Sequence, residues 1–142
     1  MTAKFFVDTN VLVYAASGAA ADQPRRDVAL ELLDRTDLGL SAQVLAEFYS
    51  VATSKRKLNL THDEALLLLE FLARIPAFPI TRELVLEAAD LSRRSNISYL
   101  DGAILTAARL MGCNVVFSED LNAGQVYDGV TVQNPFAAIS TP

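Results

Sequence analysis

The chain carries one cysteine and one histidine among its 142 residues. A lone thiol, Cys113, cannot close an internal disulfide, which favours a reduced, cytoplasmic setting. With His62 as the only histidine and no ligand spacing between it and Cys113, zinc is not the expected metal. Long apolar runs are also lacking. None approaches the ~18 residues that a membrane helix requires, and Asp8 interrupts the first apolar stretch, so no secretory signal is expected. No glycine-rich phosphate loop and no Gly-x-Ser-x-Gly occurs, which leaves nucleoside triphosphatase and serine hydrolase chemistry without a foothold. There is no repeat, low-complexity tract or linker. An excess of positive charge is absent as well: 12 basic residues stand against 17 acidic, giving a net charge of −5 and a pI ≈ 4.7. That argues against a protein held to nucleic acid by general positive charge, and suggests a bound cation or a basic partner.

What remains is an ordinary globular balance, 51% apolar and 20% charged. Its length suits one domain, residues 1–142, around a single core. Short apolar stretches alternate with amphipathic ones. Phe5 to Val7 reads as a strand, and Ala16 to Arg26, small and polar with Pro24, as a loop before a helix over Arg26 to Asp34. Leu40 reads as a strand residue, with Ser41 capping a helix that runs through Glu47 to Lys57. Thr61 and Glu64 form a capping box at the start of the next helix. "AFPI" is a short strand, Thr81 opens a helix, Ser98 caps another that closes at Gly112, and "CNVVF" and "GVTVQ" are the last strands. Buried runs alternating with helices predict a three-layer α/β domain with a mostly parallel sheet.

Four carboxylates occupy telling positions. Asp8 and Asp120 each follow a strand, and ligands in such sheets bind outside the strands' carboxyl ends. Glu47 interrupts or borders the apolar stripe of Val44, Phe48 and Val51. Asp101 lies in the first turns of its helix, on the face of Ile104, Leu105 and Ala108. Taken singly, each has an ordinary explanation: a turn or helix cap, a carboxylate reaching water from the edge of a stripe, a charge complementing a helix dipole. Taken together, four like charges converging on one sheet edge would repel. A divalent cation relieves that conflict, and hard oxygen ligands suit Mg²⁺ or Mn²⁺.

The stretches "VDTNVLVYA", "AEFYSVATSKRK", "SYLDGAILTAARLMGC" and "VVFSEDLNAGQ", with "VTVQNPF" near the end, resemble the PIN-domain ribonucleases. More closely, they resemble the VapC toxins of bacterial toxin–antitoxin pairs, over essentially the whole chain. The resemblance implies a metal-dependent endoribonuclease in which Asp8, Glu47, Asp101 and Asp120 hold one or two Mg²⁺ or Mn²⁺ ions, with Thr9 beside them. It implies that Asn10 steadies the turn, that Ser118 hydrogen-bonds within the acids, and that Glu119 is an outer acid. RNA is the implied substrate, with 5′-phosphate and 3′-hydroxyl product ends. The implied partners are a cognate VapB-type antitoxin and a second copy of the chain in a homodimer.

Basic residues cluster at Lys55, Arg56 and Lys57 and at Arg93 and Arg94. They complement helix dipoles or form a phosphate-contacting rim. Two other classes compete. An aspartyl phosphatase would have a second aspartate where Asn10 stands, and a receiver domain would need paired acids and a lysine that the chain does not place. A non-catalytic protein-binding module would use the acids only to hold a basic partner. A PIN-domain nuclease without a toxin role is the third alternative.

Overall fold

The structure is a computed structural model and describes residues 3–139. In chain order the elements are β1 (Phe5–Val7), α1 (Thr9–Ala16), a single 3-10 turn (Ala20–Asp22), α2 (Gln23–Leu33), β2 (Leu38–Ser41), α3 (Ala42–Thr53), α4 (His62–Leu72), β3 (Ala77–Phe78), α5 (Arg82–Ser95), α6 (Tyr99–Leu110), β4 (Val115–Phe117), β5 (Val126–Tyr127) and β6 (Val130–Gln133). The sheet order is β3-β2-β1-β4-β6-β5. All pairs are parallel except the β5–β6 hairpin. This is the mostly parallel, helix-covered sheet that the alternating pattern predicts.

The central strands read FFV and VVF because both sheet faces are covered, so no position is left for a polar residue. From β1 the chain steps outward to β2 and β3, then crosses back to β4. Right-handed crossovers place α1–α4 on one face and α5–α6 on the other. The packing agrees: α1 lies against α2 and α3, α3 against α4, and α5 against α6. Phe6, Leu12, Leu40, Phe48, Leu105 and Val116 are fully buried in the core between these layers. Each such side chain stabilises the fold by about 1.5–3 kcal/mol.

Helix starts are fixed locally. Asp8, Ser41, Thr61, Thr81 and Ser98 are N-caps whose side chains accept first-turn backbone N–H groups, and Thr61 with Glu64 forms the full capping box. Gly112, at φ +84°, ends α6 in the left-handed region that glycine adopts without strain. Where α5 and α6 meet, a Cβ on Gly102 would stand 2.7 Å from the Ala88 carbonyl oxygen, so the two helices approach as closely as only glycine permits.

Two local expectations change, and one helix lies where the sequence pattern raised none. Residues 9–16 form a helix, although Val11, Leu12 and Val13 give no helical period; the Asp8 cap and packing against α2 and α3 decide it. The loop after Ala16 is shorter than expected, because Pro24 sits within the first turn of α2, where its missing N–H costs nothing. Lys55, Arg56 and Lys57 lie in a turn beyond the end of α3 at Thr53 and are exposed, so they do not complement that helix from within.

Candidate active site

The chain reverses its direction across the sheet between β1 and β4, and such a switch leaves a crevice at the carboxyl ends of both strands. The register pairs Val7 with Phe117. Asp8, the next residue on one strand, therefore stands opposite Ser118 on the other, and the Asp8 N–H donates to the Phe117 carbonyl at 3.1 Å. Helices α3 and α6 begin at this same edge and carry Glu47 in the second turn of α3 and Asp101 in the first turn of α6. One cavity of about 210 Å³ opens here, lined by Asp8, Thr9, Gln43, Glu47, Asp101 and Asp120, with Ser98, Leu100 and Ile104 at its wall. The structure thus gathers all four sequence-singled acids around one cavity, from four separate elements.

Asp8 is buried, at 7% exposure. Its two carboxylate oxygens have different partners: Oδ1 accepts the Thr9 N–H at 2.7 Å, and Oδ2 accepts the Ser118 hydroxyl at 2.8 Å. Burial pushes its pKa from 3.8 to about 6, opposed by the Ser118 and Thr9 hydrogen bonds and reinforced by the charges of Asp120 and Glu47. Asp8 is therefore a helix cap and a member of a charged cluster at once.

Ser118 is fully buried and organises the loop that delivers Asp120. Its Oγ accepts the backbone N–H groups of Asp120 and Leu121 at 3.1 and 3.2 Å while donating to Asp8. Asn10 spans the two strands: its Nδ2 reaches Asp120 Oδ2 at 3.1 Å and Ser118 Oγ at 3.3 Å, and its Oδ1 accepts the Glu119 N–H at 3.3 Å. Glu119 does not line the cavity. Its carboxylate is taken up by the Tyr14 hydroxyl and by Arg25 Nε, each at 2.8 Å, and this pair ties the loop to α1 and α2. His62 is exposed, with Nδ1 2.9 Å from the Tyr49 hydroxyl, and takes no part in the cavity.

The donor set is carboxylate oxygen throughout, with a buried Thr9 hydroxyl that has no hydrogen-bond partner among the described residues. That chemistry fits a hard divalent cation that keeps some of its waters. Among the described residues, the placed side chains form no group of three acids, histidines or cysteines closed tightly enough to clasp an ion. The fit accordingly rests on donor type, on the shared cavity and on the mutual charge of Asp8, Glu47 and Asp120.

Sequence reasoning overlooked Gln43 and the Arg25–Glu119–Tyr14 contacts. Gln43 precedes Glu47 by four residues and so shares its helix face, which is the one signal that could have drawn attention to it.

Fold and site together define a mostly parallel α/β domain with an acid-lined cavity at its switch point. The match to known families narrows this: residues 5–129 match the PIN domain, and the chain belongs to that family. Among curated protein sequences, none matches. Several solved structures share the fold. VapC20 of Mycobacterium tuberculosis, a toxin that cleaves the sarcin–ricin loop, is 18% identical with a TM-score of 0.67, covering 82% of this chain and 90% of that one. A toxin–antitoxin complex from Klebsiella pneumoniae is 18% identical with a TM-score of 0.67, over 94% and 98% of the two chains. A DNA-bound VapBC from Salmonella typhimurium is 19% identical with a TM-score of 0.67, over 94% and 99%.

Proposed function

We propose that this chain is a divalent-metal-dependent endoribonuclease and the toxin of a type II toxin–antitoxin pair. The observation that carries the reading is the convergence of Asp8, Glu47, Asp101 and Asp120 on one cavity at the sheet's switch point. Membership of the PIN family and likeness of fold to VapC toxins support the reading of substrate class and biological role.

Asp8, Glu47, Asp101 and Asp120 would hold one or two Mg²⁺ or Mn²⁺ ions, with Thr9 beside them. Such a cation supplies charge that offsets the growing negative charge on a phosphodiester, and acidity that readies a water for in-line attack. The chain's own residues do the positioning. Ser118 fixes the orientation of Asp8 and the path of the Asp120 loop, and Asn10 holds Asp120 against Asp8's strand. No histidine is needed as a base, which suits a chain whose one histidine stands elsewhere.

The antitoxin is expected to use an apolar groove lined by Leu12, Leu30, Leu33, Phe48, Leu68 and Phe71, between α1, α2, α3 and α4. Leu30 and Phe71 are about half exposed there, so an apolar segment of the partner would cover surface otherwise left to water. A homodimer completes the assembly. A buried, unpaired Cys113 suits a cytoplasmic setting, and no helix among the described residues is long and apolar enough to cross a membrane.

The test is cleavage of cellular RNA by purified, partner-free protein in Mg²⁺ or Mn²⁺, in chelator, and with Asp101→Asn. The reading expects cuts that vanish in chelator and in the variant, leaving 5′-phosphate and 3′-hydroxyl ends. Ends carrying a 2′,3′-cyclic phosphate, or cutting that persists in chelator, would overturn it.

A further inference from the structure

Asn10 Nδ2 donates to Asp120 and the Ser118 hydroxyl to Asp8. Among the described residues, the buried side-chain polar atoms without a hydrogen-bond partner are Thr9 Oγ1 and Gln43 Nε2, and each belongs to a residue that lines the cavity. A buried donor left unsatisfied is costly, so such a group marks a place where something else is expected to bind. Thr9 follows Asp8 directly and belongs with the cation-binding side of the cavity.

Gln43 differs in chemistry and in place. It lies in the first turn of α3, one helical turn before Glu47, and its side chain leans toward the helix start at the carboxyl edge of the sheet. A neutral amide donor adds little to a cation already offered four carboxylates, since it is the acceptor oxygens that bind metal. What a donor beside such a cluster can serve is an incoming acceptor. RNA brings one in the non-bridging oxygens of its phosphates, and donors aimed at phosphate fix the position of a nucleic acid on its protein. The residue is half-buried, and the terminal torsion of glutamine is broad, so a small rotation turns the amide to the opening.

We propose that Gln43 is a substrate-binding residue whose amide N–H donates to a phosphate oxygen of the RNA lying across the acid cavity. The inference rests on the nuclease reading above and extends it to a residue outside the acid set. Gln43 provides the neutral contact that lets a chain of net charge −5 hold an anion beside its own carboxylates.

The test uses Gln43→Met, which keeps the length and removes the donor, and Gln43→Glu, which keeps the shape and adds a charge. Two quantities are read on folded protein. One is Mn²⁺ affinity by calorimetry. The other is affinity for a fluorescein-labelled, randomised RNA oligonucleotide by anisotropy, with Ca²⁺ replacing Mg²⁺ and the RNA checked intact on a gel. Gln43→Met is expected to weaken RNA binding by about ten- to a hundredfold, the effect of losing one hydrogen bond to a charged oxygen, with Mn²⁺ affinity unchanged. Gln43→Glu is expected to weaken RNA binding at least as far while holding or raising Mn²⁺ affinity. RNA affinity unchanged in Gln43→Met, or Mn²⁺ affinity lost in step with RNA affinity, would overturn the assignment. Wild-type protein that binds neither Mn²⁺ nor RNA would overturn the nuclease reading itself, and this inference with it.

Discussion

Replacing Asp8 by asparagine should make the metal-free protein more stable while abolishing its activity. Asp8 is ionised at neutral pH although its folded pKa is raised from 3.8 to about 6. An acid whose pKa is raised on folding stabilises the native state below the unfolded value, and that contribution is lost as pH rises through the folded one. The window is therefore pH 4 to 6, and the gap of about two pKa units corresponds to about 3 kcal/mol of destabilisation above it. Asparagine removes the charge and caps a helix as well as aspartate does, so the Thr9 contact survives. The amide group replacing Oδ2 meets a Ser118 oxygen that already accepts two backbone N–H groups, at a cost of about 1 kcal/mol. Asp8→Asn should thus gain about 2 kcal/mol over wild type in chelator at pH 7.5, by urea denaturation, because the relief of the buried charge exceeds the hydrogen-bond cost. At pH 4 the gain should vanish or reverse. Saturating Mg²⁺ should stabilise the wild type and leave the variant unchanged, since only the native wild-type site binds it. A variant no more stable than wild type at pH 7.5 in chelator would refute the claim that Asp8 is held ionised against its surroundings.

Two further substitutions probe the supports. Ser118→Ala removes the acceptor of two backbone N–H groups and the donor to Asp8, and should cost about 1–3 kcal/mol in urea. Because that hydrogen bond lowers the Asp8 pKa, its loss should also move the acid limb of a pH–cleavage profile to higher pH; an unmoved limb with lost stability would confine Ser118 to a structural role. Gly102→Ala places a Cβ against the Ala88 carbonyl oxygen, so α5 and α6 must separate, costing about 1–3 kcal/mol. Since Asp101 adjoins Gly102, cleavage should fall further than the loss of folded protein accounts for, as read by activity per folded molecule.

How much of this was legible in the sequence depended on the range of the cause. The Thr61–Glu64 capping box and the Ser41 and Ser98 caps are read correctly because donor and acceptor lie within one turn of each other. Helix α1 is invisible to periodicity because Val11, Leu12 and Val13 form an unbroken apolar run; packing on two neighbouring helices makes it helical. The sequence alone raised two readings of Asp8, a local cap or a partner to a counter-charge. The structure bears out the cap, since one oxygen accepts the Thr9 N–H, while the other meets the neutral Ser118 hydroxyl. Each acid's place after a strand or near a helix start is readable, but that β1 and β4 are neighbours is not, because sheet order arises from contacts more than a hundred residues apart in the chain, such as Asp8 with Ser118. Gln43 left only the weak mark of sharing a helix face with Glu47, for a glutamine in a first helical turn is unremarkable until its surroundings are seen.

The account turns on four carboxylates sharing a cation. The most direct measurement is an anomalous difference map from crystals soaked in Mn²⁺, collected for the wild type and for Asp120→Asn. A peak in the cavity, within bonding distance of Asp8 and at least one of Glu47, Asp101 and Asp120, is the result predicted, weakened or lost in the variant. A cavity without manganese at saturating concentration, or manganese held elsewhere by protein that still cuts RNA, would contradict it.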